Sequence, residues 1–554
     1  MNMIVSNLAL THNSINATAF LAGVFLHVFV FRLGEWDAAA TGIIACFSAL
    51  YVTSAVGGIA YLPVESHDSW MALKLISTIF VILLAGLSTS IFIYRALFHP
   101  LRRFPGPFLA RLSSAYPTSL ALKRLHFFEE AQKLHAIYGD YLRIGPNELS
   151  IVDPEAVQAI HSNASQCSKG PWYISQLPAV SLHSTRNRAE HARRRKAWDR
   201  GFSSKALRDY EPRVIYYTNQ LLTQIRITEG RPINISKEFN LYSFDIMGNL
   251  AFGKDFNMVK TQEMHPAMNL LHSTTKLVGI FSHLSWIFLI AKKIPGLTAE
   301  YHRFEKWLDQ QVLERMENEP EIPDVFSWIL KEYRSISNPT RQDKLDLRGD
   351  AMLIVVAGSD TTAATLTCLF LELAVHPEKY KKLQDEVDKY FSDRDAPDHA
   401  SLAKLPYLQA CIDESLRMHP AVPSGVQRKT PAEGLQIGQT YIPGNALVQI
   451  PLHTLYRDER VFPHPNEYIP ERWTSRPELV RDNSVFAPFL IGRYSCVGKQ
   501  LGLMEIRNVT SQIARRYNIC LADDQKPKDF FDKVVDGFTL TCPSLELVFT
   551  PRKG

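Results

Sequence analysis

Residues 1–31 contain no lysine, arginine, aspartate or glutamate, and residues 38–62 and 75–94 are equally uncharged. Runs of about 20 uncharged, mainly apolar residues match the length of helix that crosses a bilayer, which excludes a wholly water-exposed N-terminal region. No lysine or arginine precedes Arg32, so the basic start of a cleaved signal peptide is missing and an uncleaved anchor is expected. Cysteine is sparse. Cys46, Cys167, Cys368, Cys411, Cys496, Cys520 and Cys542 stand far apart, with no Cys-x-x-Cys pair and an odd total. Neither a disulfide framework nor a zinc site fits that spacing, and most of these thiols should be small core residues. Charge of one sign is also scarce: 61 Lys and Arg against 56 Asp and Glu leave a formal net charge of +5 over 554 residues. So small an excess excludes a protein that coats nucleic acid. Low-complexity tracts, internal repeats and charged linkers are absent too, which excludes a disordered or solenoid chain.

The three apolar runs predict up to three transmembrane helices over residues 1–99. His27 interrupts the first. Basic residues near the span ends are Arg32 on one side and Arg95, Arg102, Arg103 and Arg111 after the third, against Lys74 alone on the other. The positive-inside rule then puts the N-terminus in the lumen and the chain after Arg95 in the cytosol. On that topology Asn16-Ala17-Thr18 is a lumenal glycosylation acceptor. Prolines at 100, 105 and 107 interleaved with arginines make a stiff hinge against the bilayer, and a domain boundary is expected near residue 100.

Residues 100–554 read as one mainly helical domain with small β-sheets. Helical periodicity covers 155–162, 205–226, 300–317, 348–375, 378–391, 405–418 and 498–517, and strand-like pieces lie at 140–152 and 434–451. Residues 351–371 are apolar or small except for Asp360, within Ala357-Gly358-Ser359-Asp360-Thr361-Thr362. A carboxylate in a buried helix is costly unless partnered, so a proton-handling role competes with pairing to a distant arginine. The threonines can bond back one turn, and with Gly358 they predict a local kink. Glu414 and Arg417 share a helical face, and Pro470-Glu471-Arg472-Trp473 offers a second arginine from which a buried Glu414 could accept. Finally, Phe489-Leu490-Ile491-Gly492-Arg493-Tyr494-Ser495-Cys496-Val497-Gly498 puts a lone cysteine just before a helix N-terminus, where amides and the helix dipole favour a thiolate. One thiolate on one open-faced metal is the pattern of a haem iron's proximal ligand.

In their order, Ala-Gly-x-Asp-Thr-Thr, Glu-x-x-Arg, Pro-Glu-Arg-Trp and Phe-x-x-Gly-x-x-x-Cys-x-Gly, these motifs make residues 100–554 resemble the cytochrome P450 superfamily, especially its membrane-bound filamentous-fungal members. The resemblance implies a mainly α P450 fold behind N-terminal transmembrane helices, with haem b ligated by Cys496 and Phe489 packed on the cysteine side. Asp360 and Thr361 match the family's acid–alcohol pair that relays protons to dioxygen, and Gly358 would leave room for the dioxygen. Glu414, Arg417 and Arg472 brace the core. Two departures stand out: Tyr494 occupies the family's Arg or His position, and His191 stands where Trp is usual in Trp-x-x-x-Arg. Arg195 and Arg428 are then the expected partners of the haem propionates, with Tyr494 and His191 beside them.

The same resemblance implies an oxidoreductase at the endoplasmic reticulum membrane, fed NADPH-derived electrons by cytochrome P450 reductase. Its substrate would be a lipophilic small molecule, such as an intermediate of fungal secondary metabolism. The basic stretch 186–200 is expected to dock the acidic reductase, and the apolar stretch 277–290 to roof the substrate pocket and dip into the membrane. Desaturation or ring closure are variants of the same chemistry. An isomerase or dehydratase needing no reductase is a further alternative, against which the intact Asp360-Thr361 pair counts, and a haem-binding scaffold without turnover is another.

Overall fold

The structure, a computed structural model, describes residues 2–60, 69–394 and 396–552, the side chains of 2–12 and 273–274 excepted. Met1 and the last two residues of the second apolar run, 61 and 62, lie outside that range. Three N-terminal helices follow the apolar runs: α1 (Asn2–Leu26), α2 (Ala40–Ala60) and α3 (Ser69–Ile93). With their flanking turns, Asn13–Phe31, Asp37–Ala60 and Ser69–Phe98 are long and apolar enough to cross a membrane, and their side chains face outward. Without a hydrophobic drive between helices in lipid, close backbone approach through small residues has to hold them together. Gly23 and Gly86 supply it: a Cβ on Gly23 would stand 2.1 Å from the Leu83 carbonyl oxygen, and one on Gly86 2.1 Å from that of Phe20. His27 is accommodated in the same crossing, its Nδ1 2.8 Å from the Ser90 hydroxyl. Asn16 lies inside α1.

The body begins at the hinge, where Leu101 and Phe104 are already buried against residues 149–160 and 437–462. Its axis is a helix of 35 residues, Arg341–Val375, started by a capping box between Thr340 and Asp343 and stopped before Pro377. It is as long and apolar as a membrane span, yet it is mostly buried within the protein. The helix Ile235–Phe252 runs along it, buried on nearly every side. Helices at Ala156–His161, Ser204–Ile227, Ala299–Glu317, Pro377–Phe391, Pro406–Met418 and Lys499–Arg516 fall where the periodicity places them. The helix through Asp360 is continuous, and no break interrupts it at Gly358.

A small mixed sheet flanks the helices. Its strands are β1 (Tyr141–Gly145), β2 (Glu148–Ile151), β3 (Ser168–Lys169), β4 (Arg428–Lys429) and β5 (Leu447–Gln449), in the order β1-β2-β5-β4-β3. Only β2 and β5 run parallel; Glu148 faces Leu447 and Ser150 faces Gln449 in that pair. The sheet brings Lys169 directly opposite Arg428, a pairing of like charges that costs stability unless something answers it.

Cysteine burial divides. Cys167, Cys368 and Cys411 are core residues as expected, whereas Cys46 and Cys520 are exposed and Cys542 is half-buried.

Candidate active site

The helix Lys499–Arg516 begins at Gly498, two residues after Cys496, so the thiol sits at its N-terminal end. The preceding loop is a tight backbone structure: Cys496 N–H donates to the Phe489 carbonyl at 2.8 Å and Ser495 N–H to that of Gly492 at 3.0 Å. Gly492 has φ +71°, and a Cβ there would stand 2.3 Å from the His161 carbonyl. The residue is glycine because the loop presses on the end of the Ala156–His161 helix. The Cys496 side chain keeps an open face in the structure, while burial dominates the surroundings of its sulfur. Burial raises the thiol's pKa, opposed by hydrogen bonds from the Gly498 and Lys499 amides and by the charges of Arg195 and Lys499. The Phe489 ring lies in the same loop with the Lys499 ammonium 5.5 Å from its centre.

The long central helix crosses the cysteine helix beside its acid and alcohol: a Cβ on Gly502 would sit 3.6 Å from the Thr362 hydroxyl. Thr361 bonds back to the Ala357 carbonyl at 2.8 Å, as its spacing predicts. Asp360 is buried, and its partner is a histidine and not an arginine: His272 Nε2 lies 3.5 Å from Oδ1, while Oδ2 is buried with no partner among the described residues. His272 belongs to the helix Pro266–Ile280 and remains about one quarter exposed. Gly358 does not face the acid–alcohol pair. The space its missing side chain leaves is filled by Met247, whose Sδ would be 2.5 Å from a Cβ there. The expected room for dioxygen is therefore a helix-to-helix contact.

Around Tyr494 the structure gathers buried cations. Arg428 lies 5.0 Å and Lys169 4.9 Å from the Tyr494 ring centre, and the His191 ring is 4.8 Å away in a T-shaped contact. Lys169 donates to the Leu182 and His183 carbonyls, and Arg428 to the Tyr173 hydroxyl at 2.7 Å. Among the described residues no carboxylate pairs with either. Burial, reinforced by the neighbouring positive charges, pushes the Lys169 pKa well down, and brings His183 and His191 each to about 3. Among the described residues, the Nε atom of Arg428 and the Nε2 atoms of His161 and His183 are buried without a partner. An uncompensated positive pocket fits a dianionic group, and the donor set would suit the two propionates of a haem. Arg195 sits nearby, bonded to the Ser495 carbonyl at 2.8 Å and to Asp199 at 2.7 Å. Of this cluster, Arg195, His191, Arg428 and Tyr494 were expected. Lys169, Tyr173 and His183 carry no local motif, and only the β3–β4 pairing brings Lys169 in.

Glu414, Arg417 and Arg472 are fully buried together. Glu414 accepts from Arg417 twice, from Arg472, from the Ile469 amide and from the Trp473 indole, all at 2.9–3.0 Å. A cavity next to the cation cluster around Tyr494 is lined by Phe127, Trp172, His283, Gln427, Asp536 and Phe538, with Trp172 against Tyr173. Glu148 holds His283 there through Nδ1 at 3.0 Å. The apolar stretch 277–290 forms the end of the Pro266–Ile280 helix, a turn that lines this cavity, and the helix Ser285–Ala291, which packs on α2.

Thiol, acid–alcohol helix and cation pocket in one mainly helical fold are the elements of a haem-thiolate protein, and the relatives agree. Residues 117–549 match the Cytochrome P450 family, and this chain belongs to it. It is 54% identical to "Cytochrome P450 monooxygenase FCK2" of Fusarium pseudograminearum over 96% of this chain and 97% of that one. With "Tryprostatin B 6-hydroxylase" of Aspergillus fumigatus it shares 37% identity over 97% of this chain and 96% of the relative. The crystal structure of the cytochrome P450DA heme domain superposes with a TM-score of 0.65 at 17% identity, covering 79% of this chain and 96% of that one, a likeness of fold. The protein is a cytochrome P450 monooxygenase.

Proposed function

We propose that this P450 is a membrane-anchored haem-thiolate enzyme that oxidises a lipophilic small molecule of fungal secondary metabolism, drawing NADPH-derived electrons through cytochrome P450 reductase. Residues 1–99 anchor it in the endoplasmic reticulum membrane by three spans with the N-terminus in the lumen, and residues 100–554 form the cytosolic catalytic domain. Cys496 would ligate the haem iron, with Phe489 in the same loop beside it, and Arg428, Lys169, His191, Tyr494 and Arg195 would hold the propionates. The observation that carries this reading is a thiol at a helix N-terminus together with buried Lys169 and Arg428, neither of which has a carboxylate partner among the described residues.

Bound haem supplies the activation of dioxygen. The chain supplies protons and confinement. His272, partly open to solvent, passes protons to the Asp360 carboxyl 3.5 Å away, and Asp360 with the Thr361 hydroxyl delivers them to the interior. The helix Ser285–Ala291 against α2 sets the cavity beside the bilayer, where a lipophilic substrate is concentrated. On the cysteine side, Arg188, Lys196 and Arg200 remain exposed for an acidic reductase, whereas Arg194 is tied to Asp350 at 2.6 Å and Arg193 to Glu190 and Glu332. Comparative mass spectrometry of cells expressing the intact chain or Cys496→Ala tests the function. A precursor that gains one oxygen only with the intact chain is expected; identical metabolite profiles from both strains would overturn it.

A further inference from the structure

Glu35 is the first acidic residue of the chain and lies in the short turn between α1 and α2. A carboxylate there adds nothing to positive-inside retention, and the structure shows what it does instead. Arg186 grips it with both ends of its fork, Nη1 to Oε1 at 2.5 Å and Nη2 to Oε2 at 2.9 Å, while Arg186 Nε donates to the Lys169 carbonyl at 3.1 Å. Lys429 of β4 adds a second cation 3.6 Å from Oε2. Both partners of the main pair are about one quarter exposed. A bidentate pair of this kind fixes direction as well as distance.

The turn Asp37–Ala39 that follows lies against two body segments, Pro171–Gln176 and Ser285–Ala291. Those segments flank the cavity: Trp172 belongs to the first, and Gly279, Ser282 and His283 lead into the second. Lys292 ties them to each other, donating to the Ser175 and Leu177 carbonyls at 2.8 and 2.5 Å. One turn of the anchor therefore touches both sides of the cavity mouth, and its glutamate is fastened next to the buried cation cluster.

We propose that the Glu35 turn is a strut that fixes the catalytic body against its own spans, so that the seam between α2 and the Ser285–Ala291 helix opens to the bilayer and admits lipophilic molecules to the cavity. Glu35 is a positioning residue in this arrangement. The delivery step rests on the lipophilic-substrate reading above, but the strut itself does not.

Full-length protein in phosphatidylcholine nanodiscs tests both parts. Hydrogen exchange of peptides covering 171–177 and 279–292 is compared in wild type, Glu35→Gln, Arg186→Glu and the charge swap Glu35→Arg with Arg186→Glu. The single variants are expected to exchange faster there by about three- to fivefold, the worth of a partly exposed pair, and the swap to recover most of the protection. Stopped-flow binding of two probes then reads delivery: 1-dodecylimidazole, which partitions into the bilayer, and imidazole, which does not. Glu35→Gln should slow the first about threefold and leave the second unchanged. Unchanged hydrogen exchange in the single variants would overturn the strut, and equal slowing of both probes would overturn the bilayer route. Failure of either probe to perturb the wild-type haem spectrum would instead refute the haem reading, with the exchange experiment still judging the strut.

Discussion

Replacing Glu414 by Gln keeps its shape and removes its charge, and the structure allows the cost to be worked out. One carboxylate oxygen accepts from Arg417, Arg472 and the Ile469 amide, the other from Arg417 and the Trp473 indole. Whichever way the new amide turns, its NH2 faces at least two donors, and two guanidinium groups with essentially no exposure lose their counter-charge. Breaking a buried ion pair from one side costs about 3–5 kcal/mol, a large part of the roughly 5–15 kcal/mol that holds a domain together. At about 2.1 cal/mol/K of unfolding entropy per residue, a body of roughly 450 residues loses about 1 °C of Tm per kcal/mol, so Glu414→Gln should lower Tm by about 3–5 °C. The neighbouring Glu471→Gln is the control. Glu471 is bonded to Lys379, Lys382 and Tyr407, but Lys382 is more than half exposed; a discounted loss near 1 kcal/mol, about 1 °C, is expected. Differential scanning fluorimetry of both variants at one scan rate decides it. A Glu414→Gln shift no larger than that of Glu471→Gln would refute the bracing role.

Three further predictions follow from the site and its surroundings. His272→Ala should lower kcat about tenfold and Asp360→Asn about a hundredfold while both keep a normal haem spectrum; full activity in His272→Ala would remove it from the proton path. Lys169→Met deletes a buried cation, so the haem-free protein should become more stable to urea while haem occupancy falls, two opposite signs that a packing defect cannot produce. Asp413 is pushed up to about 6 by burial. Its folded pKa lies above the unfolded one, so the folded state binds the extra proton and stability falls as pH rises from about 4 to 6. Asp413→Asn should therefore flatten that slope and gain about 1–2 kcal/mol at pH 7, read by urea titration at pH 5 and pH 7.

Much of this architecture was legible in the chain because it rests on local signals. The three uncharged runs give the N-terminal helices, and the amphipathic helices announce themselves through their period, from Ser204–Ile227 to Lys499–Arg516. Cys496, Asp360 and Thr361 each sit in a contiguous motif. The helix Ile235–Phe252 escaped notice because it is buried on nearly all sides and shows no polar face. Lys169, His272 and Glu35 escaped for another reason: their roles are set by partners 259, 88 and 151 residues away, and nothing in their neighbourhoods distinguishes them from ordinary surface residues. Gly358 shows the reverse error, a residue with a motif-borne role whose free space is claimed by Met247.

The most direct test of the account is the spectrum of the reduced, carbon monoxide-treated protein. The account predicts the red-shifted Soret band of a thiolate-ligated haem in the full-length chain and in Cys411→Ala and Cys520→Ala, and its loss in Cys496→Ala with the fold intact by circular dichroism. Survival of that band in Cys496→Ala would contradict it.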